Sequence, residues 1–294
     1  MNKNILILKK VQSSEVNSCC VFLSKNFKTK ISKNFYSWRF MSNGSCSFIA
    51  KYNDQVVGHV GYTRYTLGIG SNNFYSRHSS CVDAKLRRLG IYTCLINYSF
   101  KYLSKKTNLV CTWPNKVNKK ISKKIDYKKI ERKYIIYNSP VLNYDTNLLK
   151  YLKKFSEIST YISNHYNYGL VLKDEKYFKW RYFSKLYFDD QNYYYFMNNS
   201  LFLFSFNKSQ MQLNLLDYIG NWKSFYKNLG LISNKIKFNI WALKNSTMEK
   251  KILKLNFKNT KKKINNELIF LNKYEPNLNK FIFMSDTDSF INLS

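Results

Sequence analysis

Glycine and proline are scarce in this 294-residue chain, at nine and three. Few positions therefore break secondary structure or reach left-handed backbone without strain. Acids are scarce as well: 17 Asp and Glu stand against 49 Lys and Arg, a formal net charge of +32. Only three histidines occur, His59, His78 and His165, and the six cysteines (Cys19, Cys20, Cys46, Cys81, Cys94, Cys111) form no C-x-x-C pair. That pattern speaks against a zinc cluster and a disulfide framework, so we expect reduced thiols and no metal. Long apolar runs are missing too. The longest, "SLFLFSF" at 200–206, has the length of a strand, and "ILIL" near the start is too short for the core of a signal peptide. These absences predict a cytoplasmic protein with no transmembrane segment.

What the chain does have is apolar bulk. Hydrophobic residues make up 45% and aromatics 18%, with 25 Tyr and 22 Phe, enough for one large core or two domains of ordinary size. The cationic excess favours anionic partners such as nucleotides, nucleic acid or an acidic surface. It is equally the mark of an AT-rich coding bias, because the lysines are spread along the chain.

Periodicity predicts a strand at "NILIL", a helix over Ser13–Leu23 capped by Ser13 or Ser14, and a helical piece carrying "FYSWRF" at 35–40. A hairpin follows ("SCSFIAKY", "QVVGHVGYTRYTLGIG"), then strands "FYSRHSSCVD" and "LVCTWP", a basic helix from Lys116 to about Ile125 and strand "RKYIIYN". The pattern then restarts: a helix at 145–163, "DEKYFKWRYF" at 174–183, strands "YYYFM", "LFLFSF" and "QLNLLDYI", a helix at 221–232, strand "KFNIWAL" and a helix at 246–255. "FYSWRF" around Trp38-Arg39 matches "YFKWRY" around Trp180-Arg181, and Trp113 matches Trp241, so an internal repeat is expected.

"VDAKLRRLGIYTCLINYSF" at 82–100 carries the chemistry. A strand ends in Val82-Asp83, a loop holds Arg87, Arg88, Leu89 and Gly90, and a helix begins at Ile91-Tyr92-Thr93. Unpaired N–H groups at a helix start, with its dipole, attract a pyrophosphate, and Gly90 leaves room for close approach. Ile91, Leu95, Tyr98 and Tyr102 would form the helix's buried face. This segment resembles the R/Q-x-x-G-x-G/A motif of the GNAT N-acetyltransferase superfamily, with Tyr92 departing from Gly or Ala at the last position. It is more similar to a subgroup found among polysaccharide-biosynthesis genes, which also carries an early Trp-Arg element and a Pro-Asn pair, here Trp38-Arg39 and Pro114-Asn115. The subgroup's proline before the arginine is absent, since residues 84–86 are Ala-Lys-Leu.

The resemblance implies an α/β fold of two tandem GNAT-like units, each a mixed sheet flanked by helices. Residues 1–140 would form the acyl-CoA-binding domain and 141–294 a degenerate copy, because Gly220-Asn221 offers no Arg-x-x-Gly. It further implies acetyl-CoA as donor, held by Ser80, Cys81, Val82, Arg87 to Thr93 and Asn115, with direct attack by an acceptor amine. Asp83 is the first candidate base and His78 the second; Asp83 has the competing role of capping the loop. Tyr127 is the candidate acid for the leaving thiolate. Asn115 serves the pantetheine amide or caps a helix, His59 reads as a packed or surface strand residue, and both Trp-Arg pairs read as structural. The function implied is an N-acyltransferase acting on an amino sugar, nucleotide- or lipid-linked, of surface polysaccharide biosynthesis. Two alternatives remain open: a tRNA-dependent aminoacyl transferase of the peptidoglycan-bridge type, and a non-enzymatic nucleic-acid binder, although no nucleic-acid motif is present and no stable nucleic-acid partner is expected.

Overall fold

The computed structural model describes residues 5–66, 73–114, 125–141, 148–164, 174–184, 192–198, 200–207, 212–220 and 222–273. Strands β1 (Leu6–Lys10), β2 (Cys46–Tyr52), β3 (Gln55–Thr66) and β4 (Asn73–Val82) pair antiparallel in sequence order, and β5 (Leu109–Thr112) joins β4 in parallel. Between β1 and β2 lie α1 (Val16–Phe27) and α2 (Lys33–Phe40); α3 (Ile91–Leu103) crosses from β4 to β5. β6 (Lys128–Asn138) follows. The second half repeats this order with β7 (Lys150–Tyr151), α4 (Ser156–Asn164), α5 (Glu175–Tyr182), β8 (Asn192–Met197), β9 (Ser200–Asn207), β10 (Gln212–Gly220), α6 (Trp222–Ser233), β11 (Asn239–Leu243), α7 (Thr247–Lys254) and β12 (Lys258–Phe270).

The twelve strands among the described residues form one mixed sheet, in the order β1-β2-β3-β4-β5-β12-β6-β11-β10-β9-β8-β7. The centre is an exchange. β6 follows β5 along the chain yet pairs with β11, and β12 follows β11 yet pairs with β5. The exchanged strands also pair with each other over ten residue pairs. A cut at 140/141 therefore leaves each half with a strand that belongs to the other half's sheet.

Side chains alternate across this sheet as strand geometry requires. One face carries α1 and α2, and beyond them α4 and α5; Tyr65, Phe74 and Cys111 of the first unit pack there in one core with Phe178, Leu216 and Trp241 of the second. The other face carries α3 over the first unit and α6 with α7 over the second. The repeat is visible in the caps. Ser32 Oγ accepts from Phe35 N (3.1 Å) at the start of α2, and Asp174 Oδ1 accepts from Tyr177 N (2.8 Å) at the start of α5. Trp38 and Trp180, at equal positions of these two eight-residue helices, stack with centroids 5.1 Å apart. Trp113 and Trp241 meet likewise at 5.8 Å.

Three expectations need correction. The helix read over 145–163 begins only at Ser156; Lys150–Tyr151 is an edge strand because Tyr151 and Lys150 find partners in Tyr194 and Tyr195 of β8. Neither Ser13 nor Ser14 caps α1. They lie in a 3₁₀ turn (Ser13–Glu15), and the Glu15 carboxylate accepts from Gln12 N at 3.1 Å. On α3, Ile91 and Leu95 are buried as expected, but Tyr98 is 38% exposed, and Ile96, Ser99, Phe100 and Leu103 complete the buried face. The helix expected from Lys116 lies outside the described residues, apart from its last position, Ile125, which packs in the core beneath α3.

Candidate active site

β4 and β5 pair only from Phe74↔Leu109 to Arg77↔Thr112. There β5 ends, while β4 runs on to Val82 with no strand beside it on that side among the described residues. The burial of β4 records this opening: residues 74–77 are buried, His78, Ser79, Ser80 and Cys81 are half-buried, and Val82 is buried again. Polar backbone thus lines a wedge between two parallel strands, at the strand ends where α/β sheets bind ligands.

A bulge sits just past the apex of the wedge. His59 pairs with Cys81 and Gly61 with His78, so Ser79 and Ser80 both oppose Val60. Ser79 has φ +49, a left-handed conformation that an L residue holds only when its surroundings fix it. Here the fixing group is His59. Its Nδ1–H donates to the Ser79 carbonyl (2.8 Å), its Nε2 accepts from the Tyr36 hydroxyl (3.0 Å), and Tyr36 in turn accepts from Ser47 (2.7 Å). Burial pushes the His59 pKa down to about 4, so the ring is neutral and both nitrogens are committed. In the sequence His59 reads as a packed or surface strand residue, and the structure buries it; nothing in "VVGHVG" signals that it anchors the bulge.

His78 lies next to the bulge on the α2 face, stacked on Phe40 with centroids 5.3 Å apart. Its Nδ1 accepts from Arg39 Nε (3.1 Å), and its Nε2 hydrogen-bonds Thr63 Oγ1. A guanidinium only donates, so Nδ1 carries no proton and Nε2–H points to Thr63. Phe40 reaches His78 because β3 offers no side chain at Gly61: a Cβ there would stand 2.2 Å from the Phe40 ring.

Asp83 stands at the other end of the wedge. Its backbone N–H donates to Val57 O (2.8 Å), and its carboxylate accepts from Lys85 N (2.9 Å), capping a 3₁₀ turn over Ala84–Leu86. Lys25 approaches the same carboxylate at 3.8 Å. Four strand positions separate it from Ser79, roughly 13 Å at strand rise. The chain then leads through Arg87, whose Nε donates to Val82 O (3.3 Å), and through Arg88 (φ +71) to Gly90 (φ +77), the N-cap of α3. Arg87, Arg88, Leu89 and Gly90 are exposed, no side chain caps the helix, and a Cβ on Gly90 would meet nothing within 4 Å. Ile91 is buried against Val82, while Tyr92 and Thr93 are half-buried in the first turn. The helix start is thus an open cradle of backbone donors flanked by two arginines. Among the described residues the second unit has no counterpart, since α6 begins two positions after β10 ends.

Tyr127 packs edge-on against Phe100 (5.1 Å) on the α3 face, the opposite side of the sheet from His78. Asn115 lies outside the described residues. Burial pushes the Cys81 thiol up to about 12, which keeps it protonated and unreactive. Among the described residues no group of His, Cys, Asp and Glu could hold a metal ion, and no helix is long and apolar enough to cross a membrane.

Residues 15–119 match the model of the acetyltransferase (GNAT) family. No curated protein matches the sequence. Among solved structures, a GCN5-related N-acetyltransferase of Anabaena variabilis is similar over 91% of this chain and 73% of its own (10% identity, TM-score 0.66). A probable N-acyltransferase of Enterococcus faecalis is similar over the same shares (10% identity, TM-score 0.67). A tandem GNAT protein of the clavulanic acid biosynthesis pathway is similar over 92% of this chain and all of its own (8% identity, TM-score 0.54). At such identities the likeness is one of fold.

Proposed function

With an acyltransferase domain of the GNAT family over residues 15–119 as the premise, we propose that the chain transfers an acyl group from acyl-CoA to the amine of an amino sugar. The observation that carries this reading is the pairing of an open wedge beside a pinned bulge with an uncapped helix start at its end. In it the pyrophosphate lies on the N–H groups of Gly90 to Thr93 between Arg87 and Arg88. The pantetheine runs along Cys81 and Val82 as an added strand would, and the thioester carbonyl meets the backbone at Ser79 and Ser80. Backbone donors there stabilise the oxyanion that forms during attack.

The reaction needs no protein nucleophile. The amine nitrogen attacks the thioester carbon, the C–N bond forms, the C–S bond breaks, and the thiolate leaves as CoA thiol after gaining a proton. The ammonium proton must leave first. We assign Asp83 to the loop, because its carboxylate already caps residues 84–86 and lies far from the bulge. Of the two imidazoles beside the bulge, His59 is buried and holds Ser79, which leaves His78 as the proposed base; accepting a proton at Nδ1 requires it to release Arg39 Nε. Tyr127 remains the proposed proton donor to the thiolate, from the α3 face.

Isothermal titration with acetyl-CoA and CoA tests the reading. Wild-type protein should bind both, and Gly90→Glu, which puts a carboxylate into the cradle, should abolish binding while the circular dichroism spectrum stays unchanged. Equal affinity in a folded Gly90→Glu protein would reduce the loop to a turn.

A further inference from the structure

Arg77 occupies the last rung before β4 and β5 part, paired with Thr112 on one side and Tyr62 on the other. Its side chain is directed to the α3 face, where the guanidinium carbon lies 6.0 Å from the centre of the Phe100 ring. The residue is 4% exposed, and its Nη1 is enclosed without a hydrogen-bond partner. Among the described residues it makes no ion pair. Its in-register neighbours on that face are Tyr62 and Thr112, neither of them an anion. The Tyr62 hydroxyl is engaged with Ser99 Oγ (2.6 Å), and the Tyr92 hydroxyl is enclosed without a partner. An acid does share the rung, Glu267 of β12, but it stands two strands away across Thr112, about 10 Å at ordinary strand spacing.

A guanidinium cannot shed its proton at neutral pH, and burying one without an anion is strongly unfavourable. Its place in the fold says where an anion would come from. Arg77 lies two positions upstream of Ser79, roughly 7 Å along the strand. The thioester carbonyl, on the reading above, sits at Ser79 and Ser80, with the acyl chain continuing into the apex of the wedge. Two methylenes beyond the thioester carbon set a carboxylate oxygen about 5 Å away by ordinary C–C lengths, and the arginine side chain spans what remains. A planar fork of donors suits a carboxylate.

We propose that the donor is an acyl-CoA whose short acyl chain ends in a carboxylate, and that Arg77 holds that carboxylate at the apex of the wedge. The inference rests on the proposed acyl-CoA reading and narrows its substrate class. A carboxylate on the acceptor amine is the other source of the same chemistry, but the base proposed above, His78, lies on the α2 face, which would bring the amine in opposite Arg77.

Titration with succinyl-CoA, butyryl-CoA and acetyl-CoA tests it, because butyryl has the succinyl length without the charge. Wild-type protein should bind succinyl-CoA about tenfold to a hundredfold more tightly than butyryl-CoA, the usual effect of a charge-assisted hydrogen bond. Arg77→Met should erase that preference and leave butyryl-CoA affinity within about threefold, and Arg77→Lys should retain part of it. If Arg77→Met does not fold, the wild-type comparison alone decides. Butyryl-CoA bound as well as succinyl-CoA would overturn the carboxylate while leaving the acyl-CoA site standing. Tighter acetyl-CoA binding only when a carboxylated amine is present would move the carboxylate to the acceptor. Failure of every CoA ester to bind would remove the parent reading instead.

Discussion

Acid should weaken this fold through His59 in particular. Burial holds its pKa at about 4, against 6.5 for an unburied imidazole. In the native state Nδ1–H holds the Ser79 carbonyl and Nε2 must stay a lone pair to accept from Tyr36, so protonation breaks the relay at the bulge. Between pH 6.5 and 4 the unfolded chain binds a proton at this site and the native chain does not. Stability contributed by the neutral ring is therefore complete above pH 6.5, falls as the pH drops through that window, and levels off below it. A difference of about 2.5 pH units corresponds to about 3 kcal/mol, a large part of the stability of an ordinary domain. Urea titrations at pH 7.0, 5.5 and 4.0 measure the slope, and His59→Gln supplies the control. Glutamine keeps a donor for Ser79 and an acceptor for Tyr36 but does not titrate, while all carboxylates titrate equally in both proteins. The wild type should lose about 3 kcal/mol more than His59→Gln across that range. Parallel pH profiles for the two would refute the neutral, pinned imidazole.

Ending the chain at residue 257 removes β12 and with it buried Leu268, Ile269 and Phe270; at about 1.5–3 kcal/mol each this rivals the whole stability, so no cooperative melt should be seen by circular dichroism, and a native-like melt would mean the exchange is dispensable. Gly61→Val should lower stability by at least about 1–3 kcal/mol through overpacking against Phe40, read as a fall in Tm; an unchanged Tm would show that Phe40 has room to move. Asp83→Asn should weaken CoA binding and leave kcat at saturating donor unchanged, because the loop cap is disturbed and the reacting centre is not. The reverse pattern, kcat lowered about 10²–10⁴-fold with affinity intact, would return Asp83 to the role of base.

Local signals carried much of this molecule. The helix at Ile91 with its glycine and two arginines, the two Trp-Arg helices with their caps, and the alternation of strands β2 to β4 are all short-range patterns, set by capping, by periodicity and by where the chain turns. So is the missing cradle in the second half, since Gly220 and Trp222 stand too close for a loop. Long-range pairing is another matter. The start of β12, "KNTKKKINNE", looks like solvated surface, and it is a strand only because β6 supplies hydrogen-bonding partners along it, with β5 joining on the other side from Glu267 onward. Nothing local tells β6 to pair with β11 rather than β5, for either strand would satisfy its backbone. The roles of His59, Asp83 and Arg77 follow the same division. Their side-chain chemistry is written in the sequence, but a buried relay, a loop cap and an enclosed guanidinium exist only once the sheet has placed Ser79, Lys85 and the parting of β4 from β5 around them.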